Sequence, residues 1–170
     1  MKTGNDMGRD LLAQARIELA AQPAEVVLGK SCAMLLAIDD GEIMEAQRVL
    51  ERSDDADVRD YAEQMIDDHG LHAEQTTNVL ADAGAVEIET SVAAMLRAQS
   101  AAHAGDVEAA TDVDFTYLRV QVVQHSAALV LVTGLVDYAP SDDAARWLTD
   151  TEATIRGHRA RAEVLLSVRE

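Results

Sequence analysis

Four ionisable residues lie in the middle of long apolar helical stripes: Glu42, His69, His125 and His158. Around each of them, apolar residues recur at spacings of three and four, which places their side chains on one face of a helix. Neutral imidazoles together with a carboxylate are suitable ligands for zinc, iron, copper or manganese. The sequence therefore predicts a transition-metal site with these four residues as ligands, although it does not identify a reaction.

Other polar residues near these four have simpler interpretations. His72 lies on the same stripe as His69 and is a candidate for an additional ligand, and Asp68 is a candidate for orienting a neighbouring imidazole. The Asp39-Asp40 pair is most simply solvated charge, and His103 is expected to be exposed. The helical glycines Gly70 and Gly157 suggest close backbone approach or room for a ligand, because glycine is costly inside a helix.

The composition predicts that helices position these residues. Apolar residues make up 48% of the 170 residues, aromatic residues only 3%, and proline occurs twice. We expect an all-α fold, an up-down-up-down four-helix bundle over residues 24–170, preceded by an N-terminal helical segment in residues 1–23. The four long helices are predicted at about 24–52, 57–83, 106–137 (with Asp106 as N-cap) and 142–168. A short helix at 9–22 and a helical connection at about 91–103 complete the prediction.

The depth of each residue within its helix supports a common site. In an up-down-up-down bundle, the turn between the first two long helices and the turn between the last two lie at the same end. Glu42 and His69 lie at similar distances from the first turn, and His125 and His158 at similar distances from the second. At 1.5 Å per residue, all four side chains are expected to reach one layer of the core.

The charge and the missing motifs exclude several classes of function. A formal net charge of -17 repels phosphate, so we expect no nucleic-acid binding. No transmembrane segment is predicted; the chain as written is expected to be cytoplasmic, or periplasmic or exported if a signal peptide has been removed. The chain lacks a glycine-rich phosphate loop and the Glu-x-x-His pairs of di-iron carboxylate proteins. The sequence is consistent with a homo-oligomer.

The polar residues also resemble those of a known family. The chain is similar to a widespread bacterial family of uncharacterised ferritin-like proteins, often labelled predicted outer-membrane proteins. The match covers roughly residues 33–168 and includes Glu42 on the first long helix, Asp68-His69 on the second, Asp114, Tyr117 and His125 on the third, and His158 on the last. The chain departs from the residues usual in that family at Val113, Gln124 and Glu152-Ala153. The resemblance implies a ferritin-like four-helix bundle with a metal site at these positions, where Tyr117 supports the ligands or is one of them.

Two alternatives to the metal site are consistent with the same residues. The histidines and Glu42 can form a hydrogen-bonded polar core in a non-catalytic structural, interaction or stress protein. Two of the histidines can instead bind haem noncovalently, since the chain has no c-type attachment motif. If metal binds, the role implied is storage, sensing, or a redox or hydrolytic step at an open coordination position.

Overall fold

The computed structural model describes residues 2–169, and all the regular elements in this range are α-helices. There are six of them: α1 (Gly4–Leu19), α2 (Ala24–Leu50), α3 (Ala56–Asp82), α4 (Ser91–Ala109), α5 (Val113–Val136) and α6 (Asp142–Ser167). The all-α prediction is confirmed, but the chain forms six substantial helices rather than four long ones with short accessories.

Most of the helix starts are set by short polar side chains. The Asp55, Thr90, Asp112 and Ser141 side chains each accept a hydrogen bond from a backbone N–H group in the first turn of the helix that follows. The predicted cap Asp106 is wrong, because α4 continues through this residue to Ala109 and Asp112 caps α5 instead. α3 ends before Gly84, whose φ of 62° is the left-handed conformation that glycine adopts easily.

The helices pack in antiparallel hairpins that are covered on one side. Helix α2 packs along α3, and α5 packs along α6. Helices α1 and α4 lie outside these hairpins: α1 runs along α5, and α4 runs along α2. Leu11, Ala15 and Leu19 of α1 belong to the same buried cluster as residues of α2, α5 and α6, so α1 contributes to the main core.

The predicted up-down-up-down order of the long helices is wrong. Helix α4 runs parallel to α2 along its length: Ile88, just before α4, bonds to Gly29, and Arg52 bonds to Val107 at the other end. Helix α5 therefore begins at the end where α2 finishes. Arg169 correspondingly bonds to Asp55, so α6 ends beside the α2–α3 turn. Consequently α2, α3, α5 and α6 run up, down, down and up, and their two turns lie at opposite ends.

Glu42, His69, His125 and His158 still lie at similar heights in this different topology, because of their positions within their helices. His69 and His125 are near the midpoints of α3 and α5, so their height barely depends on which end each helix starts from. Glu42 and His158 are both nearer the C-terminal ends of α2 and α6, which lie at the same end of the molecule. The depths therefore match in the observed topology as well.

Helix α5 is the one described helix that is long and apolar enough to cross a membrane. In the structure, 56% of its most apolar stretch is buried against other helices. The same helix places Gln121 and His125 in the core, where both are almost fully buried. It is therefore a core helix of the fold, and no clear transmembrane segment is present in residues 2–169.

The helical glycines divide into two groups that predict opposite effects of alanine. A Cβ at Gly8 would lie 2.6 Å from the Ala127 carbonyl oxygen, because α1 and α5 approach closely there. A Cβ at Gly157 would meet nothing within 4 Å, and the same is true of Gly70, so the close approach expected at these two positions is absent.

We expect Gly157→Ala to raise the free energy of unfolding by up to about 1 kcal/mol, since alanine is the better helix former. We expect Gly8→Ala to lower it by about 1–3 kcal/mol, because α1 must move away from α5. Urea unfolding of both variants beside the wild type measures the two changes. Equal effects at the two positions would show that α1 does not pack closely on α5.

Candidate metal centre

Three of the four predicted ligands meet in the core. His69 on α3, His125 on α5 and His158 on α6 are all buried, and one ring nitrogen of each lies within 4.8 Å of those of the other two. The ring centroids are 5.3–5.9 Å apart. We call this group the histidine triad. Since its members come from three helices, the packing of the two hairpins determines its geometry.

Each imidazole of the histidine triad is oriented by a hydrogen bond from its outer nitrogen. His69 donates from Nδ1 to Asp39 Oδ1 at 2.8 Å, and His158 donates from Nε2 to Asp68 Oδ2 at 2.9 Å. His125 donates from Nδ1 to the backbone carbonyl of Gln121 at 2.9 Å. These bonds fix the tautomer of each neutral ring and leave the second nitrogen as a lone-pair donor.

The remaining nitrogens of the triad have no hydrogen-bond partner among the described residues. They are Nε2 of His69, Nε2 of His125 and Nδ1 of His158. Buried polar atoms are normally hydrogen-bonded, so three unsatisfied acceptors beside one another are unusual. The arrangement has the donor pattern of a site in which outer bonds orient the rings and inner nitrogens bind an ion.

Burial keeps two of the imidazoles neutral. It lowers the pKa of His125 to about 3, and the positive charge that His69 can carry lowers it further. Burial also lowers the pKa of His158 to about 4, although the bond to Asp68 opposes this. For His69, burial favours the neutral form, but the hydrogen bond from its ring to Asp39 and the charge of Glu42 outweigh it and raise the pKa. At neutral pH at least two rings therefore present free lone pairs.

The fourth predicted ligand, Glu42, lies beside the histidine triad but outside it. Glu42 is 2% exposed, its Oε2 accepts a 2.6 Å hydrogen bond from Gln121 Nε2, and its Oε1 is 3.7 Å from His125 Nδ1. Burial raises the pKa of this carboxyl group, although His69 and the bond from Gln121 oppose the effect. Glu42 therefore lies beside His125 as a buried carboxyl group that gives up its proton less readily than an exposed one.

A buried tyrosine pair adjoins Glu42. The hydroxyl of Tyr61 donates to Gln121 Oε1 at 3.2 Å, and so connects to Glu42 through one amide. Tyr117 packs against Tyr61 with ring centroids 6.0 Å apart, and its own hydroxyl has no partner among residues 2–169. Burial raises the pKa of both phenols well above the ordinary value. Tyr117 is therefore a neutral neighbour of the site and lies outside the group of nitrogens.

Two residues of the site were assigned wrongly from the sequence. Asp39 is 1% exposed and accepts from both His69 and His72, so it is not solvated charge. His103 is partly buried and faces Glu45, with 3.9 Å between its Nδ1 and Glu45 Oε1, so it is not simply exposed. Asp39 follows Leu35 by four residues and precedes Glu42 by three, and this spacing is the signal that could have identified it.

Glu45 is a second buried carboxyl group that the sequence reasoning missed. It is fully buried one turn from Glu42, and Gln124 donates to it at 2.8 Å. Burial raises the pKa of Glu45 to about 9, and the charge of Glu42 adds to the effect. With neutral amides as its hydrogen-bond donors, Glu45 is held as the protonated acid at neutral pH.

The space beside the histidine triad limits what can bind there. A cavity of about 20 Å³ is lined by His69, His72 and His158 together with Asp39 and Asp68. This volume holds little more than one water molecule. The cavity is of the size of a single ion, whereas a haem would have to displace the surrounding side chains, so the geometry does not support the haem alternative.

The site and fold define an all-helical protein with a buried cluster of histidines and carboxylates. The chain belongs to the family described as "Domain of unknown function (DUF4142)", whose model matches residues 17–165. This match spans α2, α3, α4 and α5 completely, α1 and α6 in part, and includes every residue of the site. No curated protein matches the chain, and no solved structure matches it. The resemblance seen in the sequence is thus confirmed as membership of an uncharacterised helical family.

The raised pKa of Glu45 predicts a pH-dependent loss of stability. Between its ordinary value near 4.5 and its folded value of about 9, the unfolded chain is ionised at Glu45 while the folded chain keeps the proton. The stability that this carboxyl group contributes is therefore full below pH 4.5 and is lost as the pH rises toward 9. In Glu45→Gln no carboxyl group titrates at this position, so the fall in stability with rising pH that Glu45 causes is absent.

In the presence of a chelator, the stability of Glu45→Gln relative to the wild type should increase from pH 5 to pH 8. The expected slope is up to about 1.4 kcal/mol per pH unit. Urea unfolding at several pH values measures it, and Glu51→Gln, at an exposed position, controls for the loss of one carboxylate. A stability difference that stays constant over this range would show that Glu45 is already ionised in the folded protein.

Proposed function

We propose that this protein binds one transition-metal ion at the histidine triad. The observation that carries the proposal is the set of three buried ring nitrogens that have no partner within residues 2–169, each belonging to an imidazole whose other nitrogen donates outward. Zinc, iron, copper and manganese are the candidate ions, since imidazole and carboxylate ligands suit them.

The free energy of burial supports this proposal. An unsatisfied buried polar atom costs about 1–3 kcal/mol, and each ring of the histidine triad carries one among the described residues. An ion bound to all three would remove this cost. Bonds of about 2.0–2.1 Å from nitrogen to zinc place the nitrogens roughly 3.3 Å apart. The observed separations, all within 4.8 Å, need only small ring movements to close to that distance.

The carboxylates around the triad would compensate the charge of the ion. Asp39 and Asp68 accept hydrogen bonds from two of the ligands, and such partners increase the basicity of a coordinating imidazole. In this proposal Glu42 is the fourth donor when its carboxylate turns away from Gln121. The four helices that carry these residues would then form a ferritin-like bundle, with metal storage, sensing or a stress-related role as the function.

Removal of one ligand should abolish metal binding. We expect protein purified without an affinity tag to contain about one equivalent of zinc, iron, copper or manganese. The His125→Ala variant should contain none, because the remaining nitrogens cannot hold the ion. Elemental analysis measures both, after reconstitution with each metal as well as directly. The Gly70→Ala variant, changed in the same helix as His69 but at an open position, serves as a control and should retain the metal.

Loss of the Asp39 carboxylate, which accepts the hydrogen bond from His69, should weaken metal binding without abolishing it. Asp39→Asn keeps the side-chain volume but removes the charge that accepts from His69 and His72. We expect the dissociation constant to rise about 10–100-fold, which is typical when such a partner is removed. Competition with a chromophoric chelator measures it. Asp40→Asn, an exposed neighbour, should leave the affinity unchanged, and equal effects of the two variants would argue against the role of Asp39.

A second candidate function is supported by a different observation. Glu42, Gln121 and Tyr61 form a hydrogen-bonded chain that needs no ion, and Gln124 satisfies Glu45. A polar core of this kind can fix the helix register of a non-catalytic structural, interaction or stress protein. If neither wild-type protein nor reconstituted protein holds metal, this second candidate is the better account.

A further inference from the structure

A groove between α3 and α6 lies next to the histidine triad. It has a volume of about 860 Å³, and its walls carry Asp68, Asp82, Asp143 and Asp150 against a single basic residue, Arg146. Arg146 is itself paired with Asp143. The groove therefore concentrates negative charge, and a charged concave surface raises the local concentration of cations.

The groove and the buried cavity share part of their lining. Asp68, His72, Thr151 and Thr154 border both of them. On the inner side the cavity is bordered by His69 and His158, which are 5% and 4% exposed and carry ring nitrogens without partners among the described residues. Only one layer of side chains thus separates an acidic surface from two proposed ligands.

His72 is the residue in this layer best suited to pass on a cation. Its side chain is 16% exposed, and its Nδ1 lies 2.8 Å from Asp39 Oδ2. The same Asp39 carboxylate binds His69 through its other oxygen, so His72 and His69 are joined by one acidic group. On its other side His72 Nε2 is hydrogen-bonded to Thr151 Oγ1 at 3.0 Å, so a cation that binds this nitrogen displaces Thr151. The ring also stacks on Trp147, with 5.8 Å between ring centroids.

The opposite side of the molecule offers a poorer path. A cavity of about 20 Å³ also adjoins Glu42, but it is lined mainly by apolar or uncharged residues of α1, α4 and α5, such as Met7, Leu96 and Gln99. None of its lining residues belongs to the acidic groove. Helices α1 and α4 cover this side, and Glu42 is the one acidic residue among the described residues that line this cavity.

We propose that a divalent transition-metal cation reaches the histidine triad from the α3–α6 groove. His72 and Asp39 form the last transient binding site that it occupies before the triad. This inference rests on the proposed metal binding at the triad. In this inference His72 affects the rate of metal uptake, whereas His69, His125 and His158 determine the final affinity. The aspartates of the groove act by attracting the cation from solution.

The test is the rate at which aqueous cobalt(II) enters the metal-free full-length protein, followed in a stopped-flow instrument by the visible absorption of bound cobalt. His72→Ala should slow loading by about tenfold, while one cobalt ion per chain still binds at saturating cobalt. Thr154→Trp, at an exposed position in the mouth of the groove, should also slow loading. Asp150→Asn should slow it by roughly twofold or more and weaken its dependence on salt.

Matched controls separate the route from a general loss of structure. Asp60→Asn removes the same charge from an exposed position of α3 outside the groove, and Gln99→Trp adds the same bulk on the α1–α4 side. Both should load at the wild-type rate. Circular dichroism of each variant verifies that it is folded.

The outcomes distinguish this inference from the proposed function. If the wild type binds cobalt but His72→Ala and Thr154→Trp load as fast as it does, or faster, the groove route is wrong while the metal site stands. Slowing confined to Gln99→Trp would also overturn the route and place access on the α1–α4 side. If the wild type binds no cobalt at equilibrium, both the proposed function and the route are overturned.

Discussion

The interior of this protein depends on outward hydrogen bonds from three buried imidazoles. A neutral histidine has one N–H group and one lone pair, and a ring in an apolar core must place both. Here each N–H group points to an oxygen at the edge of the cluster, from Asp39, Asp68 or the Gln121 carbonyl. When all three rings are neutral, the second nitrogen of each carries its lone pair on the side away from these oxygens. The proposed chemistry of the site follows from this constraint.

The same constraint explains why charged residues are tolerated so deep in a helical core. Asp39 is buried, but it accepts from two imidazoles, whereas Glu42 and Glu45 receive hydrogen bonds from Gln121 and Gln124. Buried carboxyl groups of this kind cost several kcal/mol unless they are paired or protonated. A cation next to Glu42 would reduce this cost, and so metal binding and folding stability are expected to be coupled.

Much of the site could be predicted from the sequence, since it rests on local periodicity. His69, His125 and His158 each replace an apolar residue at a position where the helical spacing requires burial. The direction of α5 and α6 could not be predicted in the same way, because it depends on whether α4 crosses the full height of the molecule. The sequence predicts a connection with a short helix at about 91–103, whereas α4 extends to Ala109 and forms a sixth full packing element.

The supporting residues were harder to predict than the triad. Asp39 and Glu45 are acidic residues on a helix that also carries exposed acids, and only their positions relative to Leu35, Glu42 and Val49 distinguish them. His103 was misjudged because its neighbour across the core, Glu45, was not recognised. These are long-range pairings between helices, and the spacing within a single helix does not contain them.

The three outward hydrogen bonds differ in how they can be lost. The partners of His69 and His158 are side chains, so a single codon change at Asp39 or Asp68 can remove them. The partner of His125 is a backbone carbonyl, which every residue type at position 121 supplies as long as the helix is intact. Natural variation can therefore change the charge around two of the rings, while the orientation of the third is inherited with the helix itself.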